Sequence, residues 1–250
     1  MARQLYEFRR SALSGLAALA LLAGCAASPT ERADDPLRGV NRGVHAFNVF
    51  MDRVLIGPVA HVTAPIFKSP VGTAIDNMAD NLGEPGNVAN DILQARFDNA
   101  AHNTLRFAVN STVGVFGIWD AAAAAGVEER KTDFGATLHR WGVGEGAFVM
   151  LPFFGPSNMR DATGRVVDIV FDPLGQALPD REARVVTGIN IASKLGDRAR
   201  YSDTVESILY GSADSYSQLR LMYEQSRRFE LGQETTDDAF IDPYEDATGE

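Results

Sequence analysis

The sequence contains a single cysteine among its 250 residues, so no intramolecular disulfide can stabilise the fold. Basic residues are also scarce: 23 lysines and arginines stand against 33 aspartates and glutamates, which gives a net charge of −10. An acidic chain without a concentrated basic patch binds nucleic-acid phosphates poorly, so we expect no nucleic-acid partner. Hydrophobic residues still make up 45% of the chain, which excludes a mainly disordered protein.

Signatures of metal or nucleophilic catalysis are missing as well. No two histidines fall at the i, i+4 spacing of a zinc-binding helix, and no Gly-x-Ser-x-Gly motif is present. The glycines Gly142, Gly144 and Gly146 lack the strand-then-helix context and the spacing of a dinucleotide-binding loop. We therefore expect no metal, no cofactor and no enzymatic activity, although a serine and a histidine brought together only by folding would escape this search.

The N-terminus reads as a secretory signal. Arg3, Arg9 and Arg10 precede Ser11 to Ala23, an uncharged and mostly apolar run of thirteen residues. At about 1.5 Å per residue such a helix is too short to cross roughly 30 Å of hydrocarbon. A positive flank followed by a short apolar run is instead typical of a cleaved signal peptide.

The signal ends in Leu22-Ala23-Gly24-Cys25, which resembles a bacterial lipobox. We expect cleavage before Cys25 and acylation of its thiol, with residues 1–24 as the signal peptide and 25–34 as a lipid-anchored linker. Several acyl chains would anchor the protein stably. Ala26, where an aspartate would signal retention, resembles the pattern of lipoproteins sorted to the outer membrane. A soluble signal peptide that happens to end near a cysteine is the alternative.

The C-terminal segment carries much of the acidity. Residues 230–250 hold eight acidic residues and no lysine or arginine, and they contain few apolar residues. This composition predicts a disordered tail. The tail either only solvates the protein or attracts a basic partner.

Between these ends, residues 35–229 predict a single all-α domain. Apolar residues recur at spacings of three and four from Val40 to Leu55, and Gly57 with Pro58 predicts the end of that helix. Glu84 and Pro85 predict the start of another helix, and Ser157 is the expected N-cap of a later one.

Two stretches differ from ordinary soluble helices. Residues 107–126 contain one charged residue, Asp120, and are nearly long enough to cross a bilayer, but several polar residues and glycines favour a buried or membrane-interface helix pair. Residues 141–157 combine the three glycines with a dense apolar run. This second stretch predicts a hairpin that either belongs to the core or dips into lipid.

In the second alternative the glycines Gly142, Gly144 and Gly146 supply the hinge of the hairpin, because glycine adopts backbone conformations closed to other residues. The side chains expected to contact the membrane are Phe148, Met150, Leu151, Phe153 and Phe154.

Five motif blocks, in order over residues 35–228, are similar to those of the MlaA (VacJ) family of outer-membrane lipoproteins. The blocks are Asp35-Pro36-Leu37-Arg38-Gly39-Val40-Asn41-Arg42 with Phe47-Asn48; Asn81-Leu82-Gly83-Glu84-Pro85 with Asn90; Arg106-Phe107 with Asn110-Ser111-Thr112; Asp133-Phe134-Gly135 with Trp141-Gly142-Val143-Gly144; and Tyr223-Glu224-Gln225-Ser226-Arg227-Arg228.

This resemblance implies a ring-like helical domain in the inner leaflet of the outer membrane, on its periplasmic face. An amphipathic channel would let misplaced phospholipids leave the outer leaflet. The resemblance further implies a trimeric porin and a soluble periplasmic carrier similar to MlaC as partners, and no covalent step.

A lipid head group that passes hydrocarbon without partners costs several kcal/mol, so such a channel needs a polar lining. The candidates are polar residues set in apolar helices: Asn81, Glu84, Asn90, Asn110, Thr112 and Asp120. Helix capping and interhelical hydrogen bonding are the alternative for each. A lipid-acting hydrolase and a structural envelope lipoprotein are the alternative functions.

Overall fold

The computed structural model describes residues 35–232. Within them the helices are α1 (Arg38–Met51), α2 (Gly57–Phe67), α3 (Pro70–Leu93), α4 (Phe97–Thr112), α5 (Ala121–Ala124), α6 (Phe134–Arg140), α7 (Met159–Val170), α8 (Pro173–Ala177), α9 (Asp180–Arg200), α10 (Ser202–Glu206) and α11 (Ser215–Glu230). Strands β1 (Phe148–Leu151) and β2 (Gly155–Asn158) form an antiparallel hairpin that pairs Phe148 with Asn158. The predicted helical class is confirmed, whereas Cys25, the signal peptide, the linker and most of the acidic tail lie outside the described residues.

The first helix does not end at Gly57, and this prediction is wrong. A π-helical turn, Asp52–Ile56, joins α1 directly to α2. Pro58 then falls in the first turn of α2, where a proline is well tolerated. The Asp52 carboxylate in this π-helical turn accepts two hydrogen bonds from Arg198, at 2.8 and 3.0 Å, and so ties the turn to α9.

The helix predicted to begin at Glu84 begins fourteen residues earlier, at Pro70. Ser69 is its N-cap, with the side-chain oxygen 3.2 Å from the amide nitrogen of Val71. Pro85 therefore lies inside α3, where it removes one helical hydrogen bond. Packing of α3 against both α4 and α9 outweighs this local cost. The N-cap of α7 is likewise Asn158 and not Ser157, which is buried on β2.

The elements contact one another in a closed cycle. The hairpin packs on α1 and on α7, α7 on α6, α6 on α3, α3 on α9, and α9 on α2, which continues α1. The final helix α11 lies against β2. This cycle agrees with the ring-like arrangement expected from the sequence.

Only two small apolar clusters stabilise this cycle among the described residues. One joins Ala60 and Phe67 of α2 to Ala199 of α9. The other joins Phe148 and Met150 of the hairpin to Tyr216 of α11. Each cluster lies at a junction between elements, so neither fills the centre of the domain.

Candidate functional site

The outer surface of the protein is unusually apolar. The continuous helix from Arg38 to Phe67 is, within residues 35–232, the one helix long and apolar enough to cross a membrane, and only 11% of its apolar window is buried. Its stripe, which the periodicity identified, faces outward. The exposed large apolar side chains on this helix are Val40, Phe47, Phe50, Val54, Leu55, Val59, Val62 and Ile66. Soluble monomers rarely expose so many large apolar side chains along one helix.

The interior shows the opposite pattern. Among residues 35–232, nineteen polar or charged residues are buried against nine hydrophobic ones. The largest fully buried side chains are Arg106, Glu84, Asn103, Thr137, Asp91 and Ser157. A soluble domain buries mainly aliphatic and aromatic residues, so the polarity of this domain is inverted relative to one that folds in water.

Arg106 is the centre of the buried polar network. Its guanidinium donates to Glu84 at 2.9 Å, to Asp120 at 3.0 Å and to the backbone carbonyl of Val127. Asn110 donates to the second oxygen of Asp120 at 3.0 Å. Burial alone would lower the pKa of Arg106, but the bonds to Glu84 and Asp120 outweigh it and raise that pKa, so the guanidinium stays ionised.

A second part of the network joins α3 to α6 and α7. Asn90 donates to Asp168 at 2.9 Å and accepts from the Thr137 hydroxyl at 2.9 Å. Asp168 also accepts from the backbone amide of Phe134 at 3.0 Å. Burial raises the pKa of Asp168 in spite of these bonds. The network thus links three helices of the cycle through side chains that are themselves fully engaged.

The six candidate channel residues lie in different environments in the structure. Asn81, Glu84, Asn90 and Asn110 are at most 5% exposed and each makes a hydrogen bond to a residue of another segment. This burial agrees with the alternative of interhelical hydrogen bonding, and their position on a lipid path stays a prediction. Asp120 is partly exposed and belongs to the buried network around Arg106.

Thr112 lies on the surface, where its hydroxyl donates to the Ala108 carbonyl of its own helix at 2.7 Å. The Thr112 hydroxyl thus bonds within its own helix and not to the buried network.

The hairpin predicted from residues 141–157 is present, and α1 holds its free edge. Asn41 donates to the Phe148 carbonyl and accepts from the Met150 amide, each at 2.9 Å. Asn48 makes the same pair of bonds, each at 2.9 Å, with the Leu151 carbonyl and the Phe153 amide. We call these two side chains the asparagine clamp.

The spacing of the asparagine clamp explains why a helix can replace a strand here. Seven residues separate Asn41 from Asn48, which is about 10.5 Å along a helix. Three residues separate Phe148 from Leu151, which is about 10 Å along a strand. Each side-chain amide presents an N–H donor and a carbonyl acceptor next to each other, as a strand backbone does. The sequence motif contained both asparagines, but only the fold shows this role.

The hairpin places its apolar residues on two sides. Phe153 and Phe154 are 63% and 59% exposed at the turn, and Leu151 is half-buried. Phe148 and Met150 are buried against Tyr216. The prediction that these last two contact the membrane is therefore wrong, because β-strand alternation turns them towards α11.

The three hinge glycines occupy different environments. Gly142 ends α6 with φ of +86°, and the amides of Gly142 and Val143 bond back to the carbonyls of His139 and Leu138. This is a Schellman helix cap, so helix termination accounts for Gly142. Gly146 also has positive φ, and an added Cβ would lie 2.9 Å from the Met159 side chain. Gly144 has open space around it.

Gly144→Pro is therefore the cleanest test of the hinge. If the loop before β1 must flex, this variant should fold normally and raise outer-leaflet phospholipid at least twofold in cells. Gly142→Pro is unsuitable because proline cannot adopt a positive φ. Wild-type lipid distribution with Gly144→Pro would exclude a hinge at this position.

The base of the hairpin is fixed by Asp161. Its carboxylate accepts from Arg160, Asn158, Tyr223 and Arg227 at 2.6–3.4 Å. Burial would raise the pKa of Asp161, but the bonds from Arg227, Arg160 and Tyr223 lower it to about 2. The carboxylate is thus ionised at any physiological pH, and it locks α7, β2 and α11 together.

A surface turn after α4 carries further apolar side chains. Val115 and Phe116 have φ of +52° and +57°, which β-branched and bulky residues rarely adopt. Backbone hydrogen bonds hold the turn: the amide of Gly117 donates to the Asn110 carbonyl at 2.9 Å and that of Trp119 to the Gly114 carbonyl at 3.0 Å. Gly117 also packs closely, with an added Cβ 2.7 Å from the Cβ of Asn81. The exposed members of the turn are Val113, Val115, Phe116, Ile118 and Trp119. The predicted helix pair is thus an apolar turn between α4 and the short α5.

The hydrolase alternative has one structural candidate. The His45 ring nitrogen Nε2 lies 2.8 Å from the Ser215 hydroxyl oxygen, which is the one serine–histidine hydrogen bond among residues 35–232. The neighbouring carboxylate, Asp214, instead pairs with Arg42 at 2.6 Å and accepts from Ser217 at 2.8 Å. In a catalytic triad the carboxylate accepts a hydrogen bond from the histidine, and Asp214 is instead engaged by Arg42 and Ser217. Groups of acidic, histidine or cysteine residues able to hold a metal are also absent from the described part of the chain.

Comparison with known proteins agrees with these features. The family model described as MlaA lipoprotein matches residues 33–230. Proteins named intermembrane phospholipid transport system lipoprotein MlaA, from Shigella flexneri and Escherichia coli K12, are 33% identical over 216 residues, which is 84% of this chain and 84% of theirs. An uncharacterised protein of Rickettsia felis is 28% identical over 77% of the chain and 76% of its own length.

A solved structure described as the structural basis for maintenance of bacterial outer membrane lipid asymmetry has a similar fold. It superposes with a TM-score of 0.67 at 29% identity, and the match covers 79% of this chain and 98% of the other. The helical cycle, the hairpin and the inverted polarity therefore occur in a chain that shares both sequence and fold with these proteins. The chain belongs to the MlaA lipoprotein family.

Proposed function

We propose that this chain is an outer-membrane lipoprotein that removes misplaced phospholipids from the outer leaflet and passes them to a periplasmic carrier. It would thereby maintain the lipid asymmetry of the membrane. The observation that carries the proposal is the inverted polarity of a family member, with an apolar exterior around a hydrogen-bonded polar interior.

The apolar exterior supports a position within lipid. Water would impose a large hydrophobic cost on the exposed stripe of α1 and α2, whereas acyl chains would not. Trp119 and Trp141 are both more than half exposed, and tryptophan side chains favour the boundary between hydrocarbon and head groups. We propose that acylated Cys25 anchors the chain and that α1, α2 and the apolar turn lie in the inner leaflet.

The polar interior supports a scaffold function for the network. In hydrocarbon a polar group needs a partner inside the protein, and the bonds of Arg106 and Asn90 provide partners for the side chains they join. A rigid scaffold of this kind can hold open a path at its edge. The candidate edge is where the hairpin meets α11, because polar and apolar side chains are adjacent there.

Transport along such a path involves no covalent step. A head group crossing a leaflet loses hydration, and polar side chains along the path replace the lost bonds. A passive path only speeds equilibration, so a periplasmic carrier similar to MlaC would set the direction. A trimeric porin would fix the height of the domain in the membrane. Both partners are part of the proposal and are supported by the family resemblance.

Deletion of the chain tests the proposed function directly. Cells lacking it should accumulate phospholipid in the outer leaflet, and the wild-type chain should reverse this effect. Normal asymmetry after deletion would favour a structural lipoprotein. Release of fatty acid or lysolipid by the purified protein, with loss of that activity in Ser215→Ala, would favour a hydrolase.

The apolar stripe gives a separate prediction. In unacylated protein beginning at residue 26, Phe50→Glu should reduce binding to phospholipid vesicles at least about tenfold, since a charge within hydrocarbon costs about 2.5–3.5 kcal/mol. Helicity should remain unchanged because Phe50 is exposed. Flotation with vesicles measures the binding.

Phe229→Glu is the matched control for Phe50→Glu. Phe229 is also exposed, but it lies between Arg228 and Glu230 at the end of α11. We expect little change with this variant. Equal loss of binding in both variants would contradict a specific role for the stripe.

A further inference from the structure

A polar cavity of about 370 Å³ lies between the hairpin and the final helix. Three arginines line it, Arg220, Arg227 and Arg228, together with Glu145 and Glu224. The charged lining therefore carries a surplus of one positive charge, although the whole chain has a net charge of −10. Such a cavity favours an anionic group, and arginine binds the oxygens of phosphate through two parallel hydrogen bonds.

The three arginines differ in how firmly they are held. Arg227 is bound to Asp161 and Asp133 at 2.7–3.2 Å and belongs to the scaffold. Arg220 pairs with Glu224 at 2.7 Å. Arg228 lies 3.6 Å from Glu145, and both side chains are partly exposed. Because a long and solvated ion pair contributes little free energy, Arg228 can exchange Glu145 for another anion.

A second cavity of about 260 Å³ adjoins the first. It shares Tyr223 and Arg227 with the polar cavity, and Pro156, Leu219 and Met222 supply its apolar lining. Tyr223 and Arg227 are one helical turn apart on α11, so the two cavities lie on either side of one ridge. A polar compartment next to an apolar one fits a ligand that joins an anion to a hydrocarbon chain.

We propose that the polar cavity binds the phosphodiester of a glycerophospholipid and that the apolar cavity holds the start of an acyl chain. Arg228 donates to the phosphodiester oxygens. When no lipid is present, Glu145 pairs with Arg228. Glu145 therefore competes with the phosphodiester for the Arg228 side chain. This inference rests on the proposed function in one respect, namely that phospholipid is the natural ligand.

The test measures binding of short-chain phosphatidylglycerol to the full-length lipoprotein in detergent by titration calorimetry. Arg228→Gln should weaken binding at least about fivefold, because a hydrogen bond to a charged group is lost. Glu145→Gln should tighten binding about two- to fivefold, since it removes the competitor. Arg184→Gln, an exposed position on α9, is the matched control and should leave affinity unchanged.

Opposite changes in the two variants are the signature of this site, since simple structural damage would weaken binding in both. Unchanged affinity in both variants, or weaker binding in Glu145→Gln, would overturn the proposal. Glycerophosphoglycerol, which carries the phosphodiester without acyl chains, should bind at least tenfold more weakly than the lipid. Equal affinity for it would overturn the lipid assignment.

Failure of this inference and failure of the proposed function give different results. If deletion of the chain disturbs asymmetry but neither variant changes binding, only the site is wrong. If deletion leaves asymmetry intact, the proposed function is wrong whatever the calorimetry shows.

Discussion

Replacing Arg106 with leucine is expected to destabilise the protein by about 3–5 kcal/mol, because removal of one partner leaves a buried charge uncompensated. Glu84 is fully buried and would lose its ionic partner, and Asp120 and the Val127 carbonyl would lose hydrogen bonds. Domains are typically stable by about 5–15 kcal/mol, so this loss is a large fraction of the total free energy of unfolding. Chemical unfolding in detergent micelles, followed by circular dichroism, measures the effect.

Lys131→Met provides the contrast with Arg106→Leu. Lys131 also pairs with an acid, Asp80, at 2.8 Å, but its side chain is 62% exposed. Loss of an exposed pair should cost less than about 1 kcal/mol. The double variant Glu84→Leu with Arg106→Leu should recover part of the lost stability, since no unpaired charge then remains at Glu84. Similar costs for Lys131→Met and Arg106→Leu would contradict a structural role for the buried network.

Replacing both members of the asparagine clamp with leucine is expected to free the hairpin from α1. Asn41 and Asn48 satisfy four backbone groups of the hairpin edge. The two groups bound by Asn41 are buried, and each of these left without a partner costs about 1–3 kcal/mol. Amide hydrogen exchange at Met150 and Phe153 should accelerate at least about tenfold. Outer-leaflet phospholipid should change in the same cells if the hairpin controls the lipid path.

Asn77→Leu is the matched control for the asparagine clamp. Asn77 also donates to a backbone carbonyl, that of Ile118 in the apolar turn after α4, at 3.3 Å. Exchange in the hairpin should be unaffected by this variant. If the double clamp variant keeps wild-type exchange at Met150 and Phe153, the clamp does not hold the hairpin. Faster exchange with unchanged lipid distribution would separate the anchoring of the hairpin from transport.

The local patterns that the sequence predicted well are those with a simple period. The spacing of Val40, Phe47 and Phe50 predicted a helix, and the glycine-flanked apolar run predicted the hairpin. The predicted helix boundaries were wrong where a glycine or proline lies within a helix that tertiary packing stabilises. Gly57 was expected to end a helix, but the π-helical turn that begins at Asp52 continues α1 into α2. Pro85 was expected at a helix start, but it lies inside α3, which packs against α4 and α9.

At the candidate site, too, the sequence identified individual residues but not the contacts between them. The sequence singled out Glu84, Asn90 and Asn110 as candidates for a polar lining, and all three belong to the interior network. Their pairing was not predictable, because Arg106 meets Glu84 across 22 residues and Asn90 meets Asp168 across 78. Periodicity also cannot say whether an apolar stripe faces a core or lipid.

The sequence by itself determined the helical class, the candidate lipid anchor at Cys25 and the family resemblance, because these depend on composition and on short ordered motifs. Only the tertiary structure decided which side of each helix is buried. It placed the charges of Glu84 and Arg106 inside and left Phe50 outside, and it set Asn41 and Asn48 against the hairpin edge. The physical reason is that a buried polar group is stable only beside its partner, and folding alone brings partners from distant parts of the chain together.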